Sequence, residues 1–226
     1  MTAHEIPERR GLMSPRSWAL WQLPARVVAL VVSVDVAAVL ISVAALLRNS
    51  VTGSDLLRFG LLAVMSVAYL ELSRQVEQRR RLFLNTSSPT DMTSVWTFPA
   101  AILLPSSLTA CLVVLVYLHL WFRAWRRVDT ARAYRSAYGA AGVVITCLAV
   151  SAMVSATGLR GSFEAHPTSS LLVLLLAFAM YPTVNTLLVA TAIFVSSGER
   201  KPSALLGSWS DNTVEFATLG LGAVTA

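Results

Sequence analysis

The sequence predicts an all-α, polytopic helical membrane bundle of about seven membrane segments, on three observations. Hydrophobic residues make up 55% of the chain and charged residues 13%, where a soluble domain carries about 25% charged residues. The apolar residues come in long continuous blocks and not in amphipathic stripes, so the solvent they face is lipid. The arginines fall in the short gaps between blocks, the pattern of cytoplasmic membrane loops. That placement also sets aside nucleic acid as the partner behind the formal charge of +6. The partner it implies is the lipid bilayer.

Two regions follow. Residues 1–25 read as a cytoplasmic tail with an interfacial anchor, in which Arg9, Arg10 and Arg16 precede Trp18 and Trp21. Tryptophan with arginine at the edge of a span sits at headgroup level. Glu8-Arg9-Arg10 is faintly similar to a twin-arginine export signal, but the following apolar block is too long for one and is read as a retained span. Residues 26–226 form the helical transmembrane region. Its first span covers Val27 to Leu47, whose 21 residues reach about 31 Å at helical rise. The second, Leu56 to Leu72, is short unless its Arg58 end snorkels. Arg74, Arg79, Arg80 and Arg81 come next.

Residues 92–122 carry the most information. Asp91 is placed to cap a helix from Met92, and Pro99 and Pro105 interrupt the apolar run. One long kinked span is one threading. The other is a half-helix from Thr93 to Leu104 that turns at Pro105 and returns through Leu108 to Trp121. A single crossing would separate the arginines before this stretch from Arg123, Arg126, Arg127, Arg132 and Arg135 after it. A hairpin keeps both groups in the cytoplasm, as the positive-inside bias requires. Its first arm, about 18 Å long, is re-entrant or tilted within a protein-lined space.

Further spans run from Ala137 to Thr157 and from Ser170 to Val195, the latter interrupted by Pro182. The first has small residues at four-residue spacing (Ala137/Ala141, Ser151/Ser155), which allow close helix approach. Arg160, Glu164 and His166 lie in an outside loop. A last block starts at Asn212, an N-cap with Glu215 in its first turn. It runs apolar to Ala226, about 22 Å and short of the roughly 30 Å hydrocarbon core, so the expectation is a truncated final segment. This threading leaves 15 of the 18 basic side chains cytoplasmic. The expected location is a bacterial cell membrane, multi-pass, with the N-terminus inside.

Few residues offer chemistry. Asp35 lies near the middle of the first span, where a carboxylate costs about 2.5–3.5 kcal/mol on insertion scales and so faces the bundle. It is either a ligand or proton site or a hydrogen-bonded packing residue. Thr183, Asn185 and Thr186 follow Pro182. They either re-satisfy the carbonyl that proline frees or form, with Asp35 and the broken hairpin, a polar pocket of the kind transporters build at the midplane. Pro99, Pro105 and Pro182 are expected to break helices. Glu71 is expected to pair with Arg74, and His119 to sit in an interfacial belt with Tyr117 and Trp121. Cys111 and Cys147 have no metal-ligand spacing, and no catalytic or phosphate-binding motif is present. No catalytic residue, metal or cofactor is therefore expected.

Four stretches carry a resemblance: Asp91–Pro105 (DMTSVWTFPAAILLP), Val116–Trp121 (VYLHLW), Pro182–Ala190 (PTVNTLLVA) and Leu206–Ala223 (LGSWSDNTVEFATLGLGA). Over residues 25–226 the chain resembles the multi-span N-terminal region of actinobacterial signalling proteins that end in a GGDEF (diguanylate cyclase) domain. The resemblance implies a membrane anchor or sensor that responds to a small-molecule or membrane stimulus. It further implies control of a cytoplasmic domain that makes cyclic di-GMP, and a homodimer, because two active sites must meet. The GGDEF motif is absent from these residues, so no catalytic role transfers to any of them. The residues themselves leave open a small transporter built on Asp35 and the hairpin, or a structural subunit.

Overall fold

A computed structural model describes residues 19–84, 93–122, 133–159, 167–198 and 216–223, and every regular element among them is helical. For 73–84 and 133 it describes the backbone path alone. A short 3-10 turn, Ala19–Gln22, leads into α1 (Ala25–Arg48). α2 (Gly53–Leu84), α3 (Ser94–Leu103), α4 (Ser106–Leu120), α5 (Ala133–Ala156) and α6 (Pro167–Ser197) follow. Residues 216–223 form a last described helix, α7. Three helices are long and apolar enough to cross a membrane: α1, residues 134–156 of α5, and α6. The described residues are thus all-helical, and three of their helices suit a membrane protein.

α5 is the hub. In its most apolar window 56% of residues are buried, against 17% in α1 and in α6. The small residues along it explain this: Ala141, Cys147 and Ser151 are buried and let neighbours close in. α1 and α6 lie outside and turn Val39, Leu40, Leu47, Leu172 and Leu176 outward. Such a display suits hydrocarbon and would be anomalous in water.

The hairpin forms at Pro105. α3 ends with Leu104 in extended conformation, and Pro105 caps α4. Nine residues of unbroken helix would rise about 13.5 Å, yet the Thr109 hydroxyl donates to Ala100 O at 3.0 Å, so the chain folds back here. Thr109 Oγ1 also lies 3.3 Å from Leu104 O and 3.1 Å from Pro105 O. The single hydroxyl proton is shared among these oxygens, and backbone N–H groups already meet two of them, Leu104 N to Ala100 O at 2.9 Å and Thr109 N to Pro105 O at 3.0 Å. Pro99 and Pro182 correct the expectation of broken helices: α3 and α6 continue as helix through them. Proline removes one helical hydrogen bond, and in a packed bundle neighbours compensate for it.

Contacts between helices fix their directions. Tyr69 on α2 meets Trp96 at the start of α3, ring centroids 5.8 Å apart. Glu71 meets His119 at the end of α4, 2.9 Å apart. The end of the apolar part of α2, the start of α3 and the end of α4 therefore share one level. Val27 and Val31 of α1 cluster with Tyr138 near the start of α5, and Ala192 and Val195 near the end of α6 pack against them. Arg26 and Arg135 belong to this end; Arg48 and Arg58, at the α1–α2 turn, belong to the other. Beyond Glu71, α2 continues for 13 residues, about 20 Å, and its backbone carries Arg79, Arg80 and Arg81. The side chains of those three, together with Arg123, Arg126, Arg127, the tail 1–18, Asn212 and Glu215, lie outside the described residues.

Candidate functional site

The first arm of the hairpin is the most enclosed element of the protein. Phe98, Ala100, Ala101 and Leu104 are fully buried, and so is the hydroxyl-bearing Thr97. The arm is walled by α2, α4, α5 and α6, and α7 lies against its start. Small and polar side chains recur along it where a lipid-facing helix would carry Leu or Val.

Those polar groups tie the arm to each neighbour in turn. Ser94 Oγ and Thr218 Oγ1 of α7 are 2.8 Å apart. Thr97 Oγ1 lies 3.2 Å from Thr93 O and 2.7 Å from the Tyr181 hydroxyl of α6. The Cys147 thiol of α5 donates to Thr97 O at 3.6 Å. At the turn, Ser106 and Ser151 of α5 pair at 2.9 Å. Each such bond within a bilayer contributes roughly 0.6 kcal/mol, so the seam specifies register more than it supplies stability. Around it Phe98 sets its ring edge-on to Tyr181 and Phe178, at centroid distances of 5.5 and 6.2 Å.

At the mouth of the arm, Pro99 deprives the Val95 carbonyl of its helical donor. Gly222 of α7 comes to that oxygen. A Cβ at Gly222 would stand 3.0 Å from Val95 O and 3.1 Å from Pro99 Cδ. Glycine eases this approach, because a side chain would need the backbone oxygen or the proline ring to shift by a few tenths of an ångström.

The residues expected to form a polar pocket fare differently from one another. Asp35 is half-buried on α1, and its Oδ1 is buried with no hydrogen-bond partner among the described residues. Nearby, the Tyr138 hydroxyl of α5 donates to Leu188 O of α6 at 2.7 Å. Asn185 lies one turn before Leu188 on the same helix face and is half-buried, as is Thr186. Thr183 is exposed and its hydroxyl donates to Ala179 O at 2.7 Å. That is a back-bond to its own helix one residue past the carbonyl that Pro182 frees, and Thr183 does not face the bundle. Of the four, Asp35, Asn185 and Thr186 are half-buried and Thr183 is exposed, and no hydrogen bond joins Asp35 to the other three.

Comparison with protein-family models, curated proteins and solved structures finds no match. The chemistry must be read from the geometry alone. Among the described residues no group of three His, Cys, Asp or Glu side chains could hold a metal. Glu71 and His119 bridge α2 to α4 and are both partly exposed, a contact across helices where a local partner was expected; the Arg74 side chain lies outside the described residues. Sequence reasoning missed Thr97, Tyr181, Ser94, Thr218 and Tyr138. The signal available was hydroxyls placed within an apolar run that has no other reason to carry them.

Proposed function

We propose that this chain is a multi-span anchor and sensor of the bacterial cell membrane, with its N-terminus cytoplasmic. In this reading it governs a cytoplasmic GGDEF-type output domain that makes cyclic di-GMP. The protein works as a homodimer and answers a small-molecule or membrane stimulus. The observation that carries the reading is the seating of α7 on the buried arm, through Ser94–Thr218 and the Gly222 approach to Val95. In the resembled family the membrane region precedes the output domain, and here its last described segment, one crossing short of a cytoplasmic exit in this threading, rests on the most enclosed of the described helices. A shift of the arm against α5 or α6 moves that segment. The shared level of the ends of α2 and α4 supports a threading in which both basic clusters face the cytoplasm.

Two measurements test this. Single cysteines at Arg80 and Arg127 are expected to label from the same side of the membrane in intact cells, and labelling from opposite sides would refute the threading. The reading frame past the codon for Ala226 is expected to enter a further apolar stretch and then a Gly-Gly-Asp/Glu-Glu-Phe loop; a stop codon there would refute the output domain.

A second reading, a small transporter or transporter-like binding protein, is favoured by the buried, unpartnered Oδ1 of Asp35. A midspan carboxylate lacking a protein partner is the usual mark of an ion or proton path. On this reading Asp35→Asn abolishes ligand or proton uptake in reconstituted vesicles. Uptake that is absent in the wild type, or equal in the variant, removes it.

A further inference from the structure

The turn at Pro105 leaves a second polar feature that neither reading uses. The first N–H groups of any α-helix lack intrahelical acceptors. In α4 the Thr109 amide is paired to Pro105 O, and no side chain caps the helix. Pro105 has no N–H at all. The amides of Ser106, Ser107 and Leu108 therefore stand ahead of the first intrahelical bond. Two of the three lie inside the protein, Ser107 at 1% and Leu108 at 9% exposed, and Ser106 is half-buried. Most helices that begin in such a place are capped by a Ser, Thr, Asp or Asn side chain; here a proline occupies that position.

Independently, Ser107 Oγ is buried with no hydrogen-bond partner among the described residues. A helical Cα–Cβ bond tilts toward the N-terminus, so in the first turn this hydroxyl is directed to the same place as the free amides. The carbonyls at the turn have donors already: Leu104 N reaches Ala100 O, Thr109 N reaches Pro105 O, and the Thr109 hydroxyl lies within reach of Leu104 O. The end of α4 thus offers donors and the positive pole of the helix dipole. In a medium without water every one of those donors is costly to leave unmet.

We infer that the N-terminus of α4 is a binding site for a small monovalent anion, of chloride or small-carboxylate size, held by the amides of Ser106–Leu108 and the Ser107 hydroxyl. Convergent donors at a helix N-terminus are a general anion-binding arrangement, and Ser107 supplies the side-chain donor that a merely uncapped helix would lack. The site sits at the turn that joins the two arms, beside the Ser106–Ser151 pair to α5. Occupancy stiffens the hairpin where it reverses. The inference stands whether or not the chain drives an output domain.

The test uses the full chain in lipid nanodiscs at constant ionic strength, with chloride, acetate or the bulky gluconate as the anion. Thermal unfolding and equilibrium binding of radiolabelled chloride are measured for wild type and Ser107→Ala. The wild type is expected to bind chloride and to unfold at higher temperature in chloride than in gluconate. Acetate identifies which small anion the site prefers by matching or missing the chloride effect. Ser107→Ala is expected to weaken binding about tenfold, the worth of one hydrogen bond to a charged group. In gluconate the variant unfolds at the same or a higher temperature, because it no longer buries an unmet hydroxyl. That second result separates lost binding from lost folding. Absence of chloride and acetate binding in the wild type overturns the site, and so does equal affinity in the variant.

Discussion

Phe98→Ala is expected to destabilise the folded bundle by about 3 kcal/mol, the lower end of the range for emptying a buried aromatic site. The lower end applies because part of the usual cost is transfer of the ring to water. A helix unfolded within a bilayer leaves the ring in lipid and forfeits only its packing. That packing is extensive: Phe98 is fully enclosed, with Tyr181 and Phe178 edge-on to it. Reversible unfolding of the reconstituted chain in mixed micelles, titrated with sodium dodecyl sulfate, measures the loss. Phe98→Leu is expected to cost less than half as much. A Phe98→Ala variant as stable as the wild type would show that the arm is not seated among α5 and α6.

Gly222→Leu is expected to lift α7 off the hairpin, at a cost of about 2 kcal/mol by the usual measure of overpacking. The atoms a side chain would meet are Val95 O and Pro99 Cδ. Both are held by the backbone, so relief for a leucine comes chiefly by moving α7. A paired Ser94→Cys/Thr218→Cys protein reports this directly. The two hydroxyls are 2.8 Å apart, which brings the Cβ atoms near the spacing a disulfide needs. A membrane-permeant oxidant is expected to cross-link the pair in the parent and to lose most of that yield with Gly222→Leu. Full cross-linking in the triple variant would mean that α7 does not depend on the close approach. Gly222→Ala is expected to fall between.

The positions of the helices were legible because lipid imposes a simple rule: a long apolar block must be helical to satisfy its own backbone. The expected spans from Val27 and Ser170 lie within α1 and α6, and that from Ala137 to Thr157 overruns the end of α5 by one residue. The break at Pro105 was legible too, because arginines on either side of the hairpin forbid a single crossing. Pro99 and Pro182 misled, since proline alone does not say whether a neighbour will serve the freed carbonyl. At Pro182 Thr183 serves the next one along; at Pro99 the backbone of α7 comes to Val95.

The polar seam was not legible for a different reason. In water, the contrast between apolar and polar faces announces which way a helix turns. In lipid both faces are apolar, and the rotation of α3 that sets Thr97 against Tyr181, 84 residues away, leaves no periodic trace. Asp35 was readable as an inward residue because its charge forbids the alternative. Thr183 was not, since a threonine can hide its hydroxyl on the preceding turn and face lipid at little cost.

The enclosure of the first arm has a consequence for synthesis. The ribosome makes α3 before α5, α6 and α7, the elements that later receive its hydroxyls and rings. Until those arrive, a nascent chain has a ten-residue apolar helix too short to cross alone, with serine and threonine groups that hydrocarbon does not welcome. The hairpin must therefore wait at the insertion machinery, or at the edge of the bilayer, and enter its place only when the later helices close around it.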